Sequence, residues 1–507
     1  MLQNNRSLYS DSKDLIEEPI FYLFRPSGSH PPENIKKNEP HPLPNFTIEE
    51  WVTDNHKQAG ISIWFGDSPS CSCPRRSNPN YPQEYRPQNG QGRDALVCKI
   101  CDLKCDTTYW CRNCDIEKLK RQFRYWTSGN QLLDEFVQRT QLDSRSYHEY
   151  FEWIEPVRLR NIEHIADGGN GSVYKAEWID GIRVIHPKKG QTRTKSIVAL
   201  KVISCGDDIE ILTEISRIYR VRNDLSDNNY GPKIYGFTKH VGLGKYALVM
   251  QYFENGSLRT YLQKHKEIRW IHLAYLASSI SKGLKTMHSD GVVHCDLHSG
   301  NILVGYNSIE PSCCIADYGT IKKISSLASR KCGIYGVIPY MAPELFKGQP
   351  HSTATDIYAF GMIMWELSAG EPPFNQEEHN STLMLNICDG LRPSIVEGTP
   401  DCWVQLMKRC WDSDPKKRPI ASELEDLFEE WVYVYGRTSE FRRKCKEADE
   451  YRANHPRVKP KKRHSGATYA SSFIQLPIFT NREIGTASST SVVSIEGSKF
   501  DINAFGS

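Results

Sequence analysis

The residues whose types and spacing most directly imply chemistry are four cysteines. Cys98, Cys101, Cys111 and Cys114 form C-x2-C-x9-C-x2-C, and two such knuckles can offer four thiolates tetrahedrally to Zn2+. Four cysteines leave no open coordination position, so the expectation is a structural zinc site rather than a catalytic one. Reduced thiols without metal are the alternative. Cys105 lies between the pairs and could replace one ligand, whereas Cys71 and Cys73 form only C-x-C and are expected to have no metal role.

A second group of reactive side chains lies downstream, in an ordered series. IADGGNGSVYK (165–175) places glycines between strand-like patterns, VALK (198–201) ends on a lysine, and IEILTEISRIYRV (209–221) carries Ile211, Ile215 and Ile218 on one helical face. YALVMQYFENGSL (246–258), HCDLHSGNIL (294–303), IADYG (315–319) and GVIPYMAPE (336–344) follow, then DIYAFG (356–361) and CWDSDPKKRP (410–419). Each motif alone is weak; their order and spacing together are specific. The series resembles a eukaryotic protein kinase domain of the tyrosine-kinase-like group, in particular the many such kinases of arbuscular mycorrhizal fungi.

That resemblance implies an α+β protein kinase fold of two lobes, a small and mostly antiparallel sheet lobe and a large helical lobe, with ATP in the cleft. Gly168 and Gly171 would let the backbone approach phosphates. Val173, Ala199 and Leu303 would sandwich the adenine, Ile165 would lie in the same loop region, and Met250 would stand at the back of the pocket. The backbones of Gln251 and Phe253 would bond the adenine edge. Lys201 would contact the α- and β-phosphates and pair with Glu214, Glu210 being the rival. Asp296 would take the proton of an attacking hydroxyl, Asn301 and Asp317 would hold Mg2+, and a protein would be the acceptor substrate. Arg418 and Glu344 would pair structurally.

Several residues depart from the family's pattern. Ala166 stands where the first loop glycine is usual, Asn170 replaces an aromatic tip, and Tyr318 replaces a phenylalanine. Cys295 replaces an arginine, His298 a lysine, and Val337 a threonine. Loss of the last two weakens a Ser/Thr assignment but leaves base and metal residues intact, so the expectation is a Ser/Thr kinase, with Tyr or dual specificity left open. The alternative is a pseudokinase scaffold that binds partners without phosphoryl transfer. Cys295 offers neither the charge nor the fork to clasp a phosphate. Phosphorylation of Thr320, Ser325, Ser326 or Ser329 is therefore expected to order the activation segment little, leaving control to the N-terminal region or a partner.

Composition sets the frame around these sites. The 507 residues carry a net charge of +3, too small to suggest nucleic-acid binding. The polar N-terminus lacks a signal-peptide pattern, and no apolar run is long enough for a transmembrane helix. An intracellular, cytoplasmic chain is expected, in which cysteines are not a disulfide framework. KPKKRH (459–464) could be a nuclear address but reads more simply as a solvated charge run. The expected organisation is a disordered Pro/Asn-rich region at 1–95, the cysteine patch at 96–116, a helical linker at 117–158, the kinase domain at 159–434 and a disordered tail at 435–507. In the linker, Leu132, Leu133, Phe136 and Val137 form one stripe; Leu273, Leu276, Ile280, Leu284 and Met287 form another that reads as core. GIRVIHPKKGQTRTKS (181–196) reads as a polar insertion between strands.

Overall fold

A computed structural model describes residues 97–475, apart from 99, 104, 106–108, 148, 169–170, 187–189, 204–210, 212–214, 216–230, 308–309, 318–321, 324–333, 435–439 and 456–461. The expected disorder at 1–95 lies outside these residues, as do Glu210, Glu214, Asn170 and Tyr318.

The small lobe is built on a six-stranded sheet in the order β1-β5-β6-β4-β3-β2. Its strands are β1 (Glu152–Trp153), β2 (Leu159–Gly168), β3 (Gly171–His186), β4 (Gly190–Val202), β5 (Ile234–Lys239) and β6 (Tyr246–Gln251). The central strands are apolar in continuous runs: Ala247 and Val249 are fully buried on β6, and Val198 and Leu200 on β4. That is the pattern of strands covered on both faces. Among the described strands β1 alone pairs in parallel, through Glu152↔Gly236 and Trp153↔Phe237. The approach is so close that a Cβ on Gly236 would lie 1.9 Å from the Glu152 carbonyl oxygen, so only glycine fits there.

The stretch read as a polar insertion does not loop out. It continues β3 and β4 as one hairpin paired from Ile182↔Thr194 to His186↔Gly190. Arg183 holds it down: buried, it donates to the carbonyls of Tyr147 (2.9 Å) and Tyr150 (2.6 Å), pairs with Glu152 (2.8 Å) and stacks on the Tyr150 ring. Its charge hid this structural role in the sequence.

Ahead of the sheet lie α1 (Arg112–Gln122) and α2 (Gln131–Asp143). The Asn130 side chain caps α2 by accepting the Leu133 N–H at 3.0 Å. Leu133, Phe136 and Val137 are fully buried, packed with Phe151 and Phe237, and Leu132 is partly buried beside them. The stripe thus docks α2 on the small lobe.

The large lobe contains α3 (Leu258–Lys264), α4 (Trp270–Ser289), α5 (Pro343–Phe346), α6 (Thr353–Ala369), α7 (Ser381–Cys388), α8 (Asp401–Cys410) and α9 (Ala421–Glu429). The expected stripe of α4 is buried, and α6 is buried on nearly every side. A helix apolar all round is one that a core encloses. Short β7 (Val292–Val293) pairs with β10 (Lys322–Lys323), β8 (Ile302–Asn307) pairs with β9 (Glu310–Ile315), and β11 (Ile334–Gly336) follows.

The tail expected to be disordered from 435 is partly folded. Residues Glu440–Asn454 form α10, whose Phe441, Cys445 and Ala448 are buried against the large lobe. These recur at i, i+4 and i+7, a helical signal thinned by the surrounding charges. Asp449 on α10 accepts the Trp270 N–H at 2.9 Å and so satisfies the start of α4 from a distant part of the chain. Further on, Ser472–Ile474 form β12, antiparallel to β11. No helix among the described residues is long and apolar enough to cross a membrane.

Candidate active site

The loop between β7 and β8 carries Asp296 and Asn301, and its backbone is under strain. Cys295 sits at φ 69°, a left-handed conformation that side chains other than glycine rarely adopt. Asp356, buried on α6, compensates: its carboxylate accepts the backbone N–H of His294 (2.8 Å) and of Cys295 (3.3 Å), and bonds His288 (3.0 Å). Burial alone would raise that carboxyl; the His288 hydrogen bond and the neighbouring imidazoles hold it below the usual range. Asp356 was legible only as part of a helix, yet it fixes the loop on which Asp296 stands.

His294 joins this loop to the segment carrying Asp317. The Asp296 N–H donates to His294 Nδ1 at 3.3 Å, which leaves Nε2–H to donate to the Ala316 carbonyl at 2.8 Å. Asn301 adds two further ties. Its Nδ2 donates to the Asp296 carbonyl (2.9 Å), and its carbonyl accepts the Ala316 N–H (2.7 Å). The first bond fixes the amide so that Oδ1, a hard oxygen donor, is the atom left to meet a ligand.

Asp317 also takes a left-handed backbone, at φ 68°. Its carboxylate lies 2.7 Å from Lys201 Nζ, brought in from β4. Lys201, Asp317, Asn301 and Asp296 therefore meet at one cleft from three separate segments. The carboxylate of Asp317 and the amide oxygen of Asn301 form an oxygen donor set that suits Mg2+. The Lys201–Glu214 pair lies outside the described residues.

Asp296 is almost wholly buried. Burial pushes its carboxyl up to about 6, opposed by the Ser471 hydroxyl and by His294. His298 Nε2 is 3.8 Å from Asp296 Oδ1. Burial and the nearby Arg259 charge hold His298 well below the ordinary imidazole value, so it is neutral at pH 7. A cationic lysine substitute it is not.

The remaining nucleotide-site candidates surround the cleft on the small-lobe side. Gly168↔Gly171 closes the β2–β3 hairpin, and Val173 stands opposite Lys201 in the β3–β4 register. Ala199 pairs with Met250 across β4 and β6. Ile165 is 46% exposed and contributes little enclosure here. The Gln251 N–H already donates to the Lys233 carbonyl at 2.8 Å, so of the two expected hinge residues Phe253 is the one left to donate an N–H. A bridge between Ser257 and Leu303, with Val304 N–H donating to Gly256 (3.0 Å), brings Leu303 beside the hinge.

Sequence reading missed Arg259. From α3 it reaches Ser299 Oγ (3.2 Å), His298 Nδ1 (3.5 Å) and the Tyr469 carbonyl (2.9 Å). Ser299 in turn bonds Tyr340 (3.1 Å), whose hydroxyl donates to the buried Glu366 (2.7 Å). No spacing rule links these residues.

The amino-terminal cysteines form a second cluster. The sulfurs of Cys98, Cys101, Cys111 and Cys114 all lie within 4.8 Å of one another, and Cys105 is not among them. The Cys98–Cys114 and Cys101–Cys111 separations are 3.8 and 3.5 Å. Trp110 beside them packs on Tyr150 and Ile185, and Gln191 Nε2 donates to the Tyr109 carbonyl (2.6 Å), so the β3–β4 hairpin carries the patch.

Known proteins place the fold in context. The family model for protein tyrosine and serine/threonine kinases matches residues 159–428, just over half of the chain. A LIM domain-containing serine/threonine-protein kinase of Dictyostelium discoideum is 33% identical over 266 residues, which is 52% of this chain and 37% of that protein. A serine/threonine-protein kinase of Arabidopsis thaliana is 24% identical over 292 residues, covering 56% of this chain and 47% of its own. The dual specificity protein kinase splA of Dictyostelium discoideum is 28% identical over 304 residues, covering 56% and 12%. The chain thus spans less than half the length of each of these relatives. Its two-lobed α+β architecture and the span of the match agree, and the chain belongs to the protein tyrosine and serine/threonine kinase family.

Proposed function

We propose that this chain transfers the γ-phosphoryl group of ATP to serine or threonine hydroxyls of proteins. The convergence of Lys201, Asp317, Asn301 and Asp296 carries the reading. The acceptor oxygen attacks the γ-phosphorus, its proton passes to the Asp296 carboxylate, and the bond to the β–γ bridging oxygen breaks to release ADP. Lys201 meets the phosphate charge, while Asp317 and Asn301 Oδ1 would hold Mg2+. That ion supplies positive charge to the phosphate oxygens when bound. Positioning and charge provide most of the acceleration in such a step, which suits a site held by Asp356 and His294. A scaffold that only binds partners has no need of a buried base and two oxygen ligands in register. The finer placement in the tyrosine-kinase-like group rests on the motif set.

The test is transfer from labelled Mg·ATP to a mixed peptide panel across pH 5–8. With Asp296 raised to about 6, kcat/KM should hold near pH 7–8 and fall about tenfold per pH unit below that value, as the base becomes protonated. No transfer by folded protein at any pH would reject the reading.

The cysteine cluster supports a second assignment, a structural Zn2+ held by Cys98, Cys101, Cys111 and Cys114. A tetrahedron with metal–sulfur bonds of about 2.3 Å has edges of about 3.8 Å, close to the 3.8 and 3.5 Å separations of these sulfurs. The Ile100 N–H donates to Cys98 Sγ at 3.4 Å, a second interaction that orients the ligand sulfur. Protein purified without chelator should contain one zinc per chain. The Cys98→Ser/Cys101→Ser double variant should lose it, with faster proteolysis around 97–122 and ATP binding retained. Less than a tenth of an equivalent in folded, reduced wild type would remove the metal.

A further inference from the structure

Residues 462–475 run along the large lobe and meet the Asp296 loop at His298. His464 N–H donates to Asn375 (3.0 Å), His379 N–H to Gly466 (3.2 Å), and Thr468 N–H to His379 Nδ1 (3.1 Å). Tyr469 is the anchor. It is buried, its hydroxyl donates to the Pro373 carbonyl (2.9 Å), and the guanidinium groups of Arg259 and Arg463 each lie 5.1 Å from its ring centroid. Downstream, β12 pairs antiparallel with β11 through Gly336↔Ser472, Tyr335↔Phe473 and Ile334↔Ile474, with Ile474 buried. Backbone pairing with a sheet edge, plus alternate side chains in pockets, is how an extended peptide is recognised.

Between the Tyr469 anchor and the β12 strand stands Ser471. Its Oγ is 2.9 Å from His298 Nε2. The Gly300 N–H donates to His298 Nδ1 at 3.0 Å, which places the ring proton on Nε2 and makes His298 the donor to Ser471. The serine proton is therefore free to go elsewhere. Asp296 lies on the other side of this contact: the same His298 Nε2 is 3.8 Å from Asp296 Oδ1, and Asp296 Oδ2 is buried without a hydrogen-bond partner. His298, the departure from the lysine pattern, here positions an acceptor oxygen instead of a phosphate.

We propose that Ser471 is a phosphoryl acceptor of this chain's own active site, delivered in cis by residues 462–475 docked as a substrate strand. The proposal rests on the kinase reading above. Ser471 Oγ forms the new bond to the γ-phosphorus of ATP, the bond to the β–γ bridging oxygen breaks, the proton moves to Asp296, and ADP leaves. Ser471 reaches the His298 ring, itself 3.8 Å from Asp296, on a short side chain; a tyrosine hydroxyl would lie a full ring further from its Cβ. The product carries one to two negative charges beside the Asp296 carboxylate. Like charges at that separation disfavour the docked state, so the modified strand is released and the acceptor groove opens.

The experiment incubates full-length protein with Mg·ATP and follows both the Ser471 peptide by mass spectrometry and transfer to the mixed peptide panel. Ser471 should be labelled at a first-order rate independent of protein concentration over a hundredfold range. Tyr469→Ala, which removes the anchor, should slow Ser471 labelling at least tenfold and lower KM for added peptides at least fivefold. Peptide transfer without label on Ser471 overturns the proposal and leaves the kinase reading standing. A labelling rate that rises with protein concentration overturns delivery in cis. Faster peptide transfer by Tyr469→Ala with an unlabelled wild-type Ser471 makes the strand a blocker, not an acceptor. Absence of transfer to any acceptor defeats both readings together.

Discussion

Asp296→Asn is expected to slow phosphoryl transfer by about 10²–10⁴-fold, the range for removing a positioned base, and at the same time to make the protein more stable at pH 7.5. Two features lead to this paired outcome. The carboxylate is buried, and its proton affinity is raised from 3.8 to about 6. A group whose folded value is raised contributes stability below the unfolded value and loses it as pH rises through the folded one. Above about pH 6 the native state therefore bears the cost of an ionised, desolvated Asp296, on the order of 2–3 kcal/mol from the size of the shift. Asparagine keeps the shape without the charge. Thermal melts of wild type and variant should diverge at pH 7.5, with the variant higher, and the gap should narrow at pH 5 and close only below about pH 3.8, the unfolded value. Transfer within tenfold of wild type, or a variant melting lower at pH 7.5, would count against this account of the site.

Arg418→Met should cost about 3–5 kcal/mol of stability, the usual penalty for stranding one member of a buried ion pair. Arg418 grips Glu344 through two bonds of 2.6 and 2.8 Å, its own side chain fully buried. The guanidinium also donates to the carbonyls of Asp412 (2.9 Å) and Ala354 (2.9 Å), which would be left without that partner. Glu344 cannot reach water, so its charge becomes uncompensated. The same kind of pair at the surface gives the contrast. Arg409 and Glu423 meet at 2.6 Å but are 47% and 41% exposed, and Arg409→Ala should change stability by less than about 1 kcal/mol. Urea unfolding of both variants reads the difference. Adding Glu344→Gln to Arg418→Met should recover part of the loss, because the stranded charge is removed. Equal midpoints for the Arg418 and Arg409 variants would contradict the burial argument.

Much of this protein is written locally. The order of the motifs from 165 to 419 specifies the kinase fold, because each motif is a short run whose residue types serve a local turn, strand or helix end. The stripes of α2 and α4 were legible from helical periodicity, which reports which face each helix hides. The paired C-x2-C knuckles were legible as a cluster for the same reason: two residues between cysteines make a turn that aims both sulfurs one way. What periodicity cannot carry is the meeting of distant surfaces. Arg183 reads as a charged surface residue, and only the packing of Tyr147 and Tyr150 shows it as the pin of an extended hairpin. Asp449 caps α4 from 179 positions away, and Ser471 meets His298 across 173. The tail is sparse in apolar residues, so its sequence reads as solvated chain. Yet Tyr469 and Ile474 need only a preformed slot and an open strand edge to dock. That slot exists only once α3, the loop carrying Asp296 and β11 have folded together, which is why the tertiary structure, and not the local sequence, decided where Ser471 would stand.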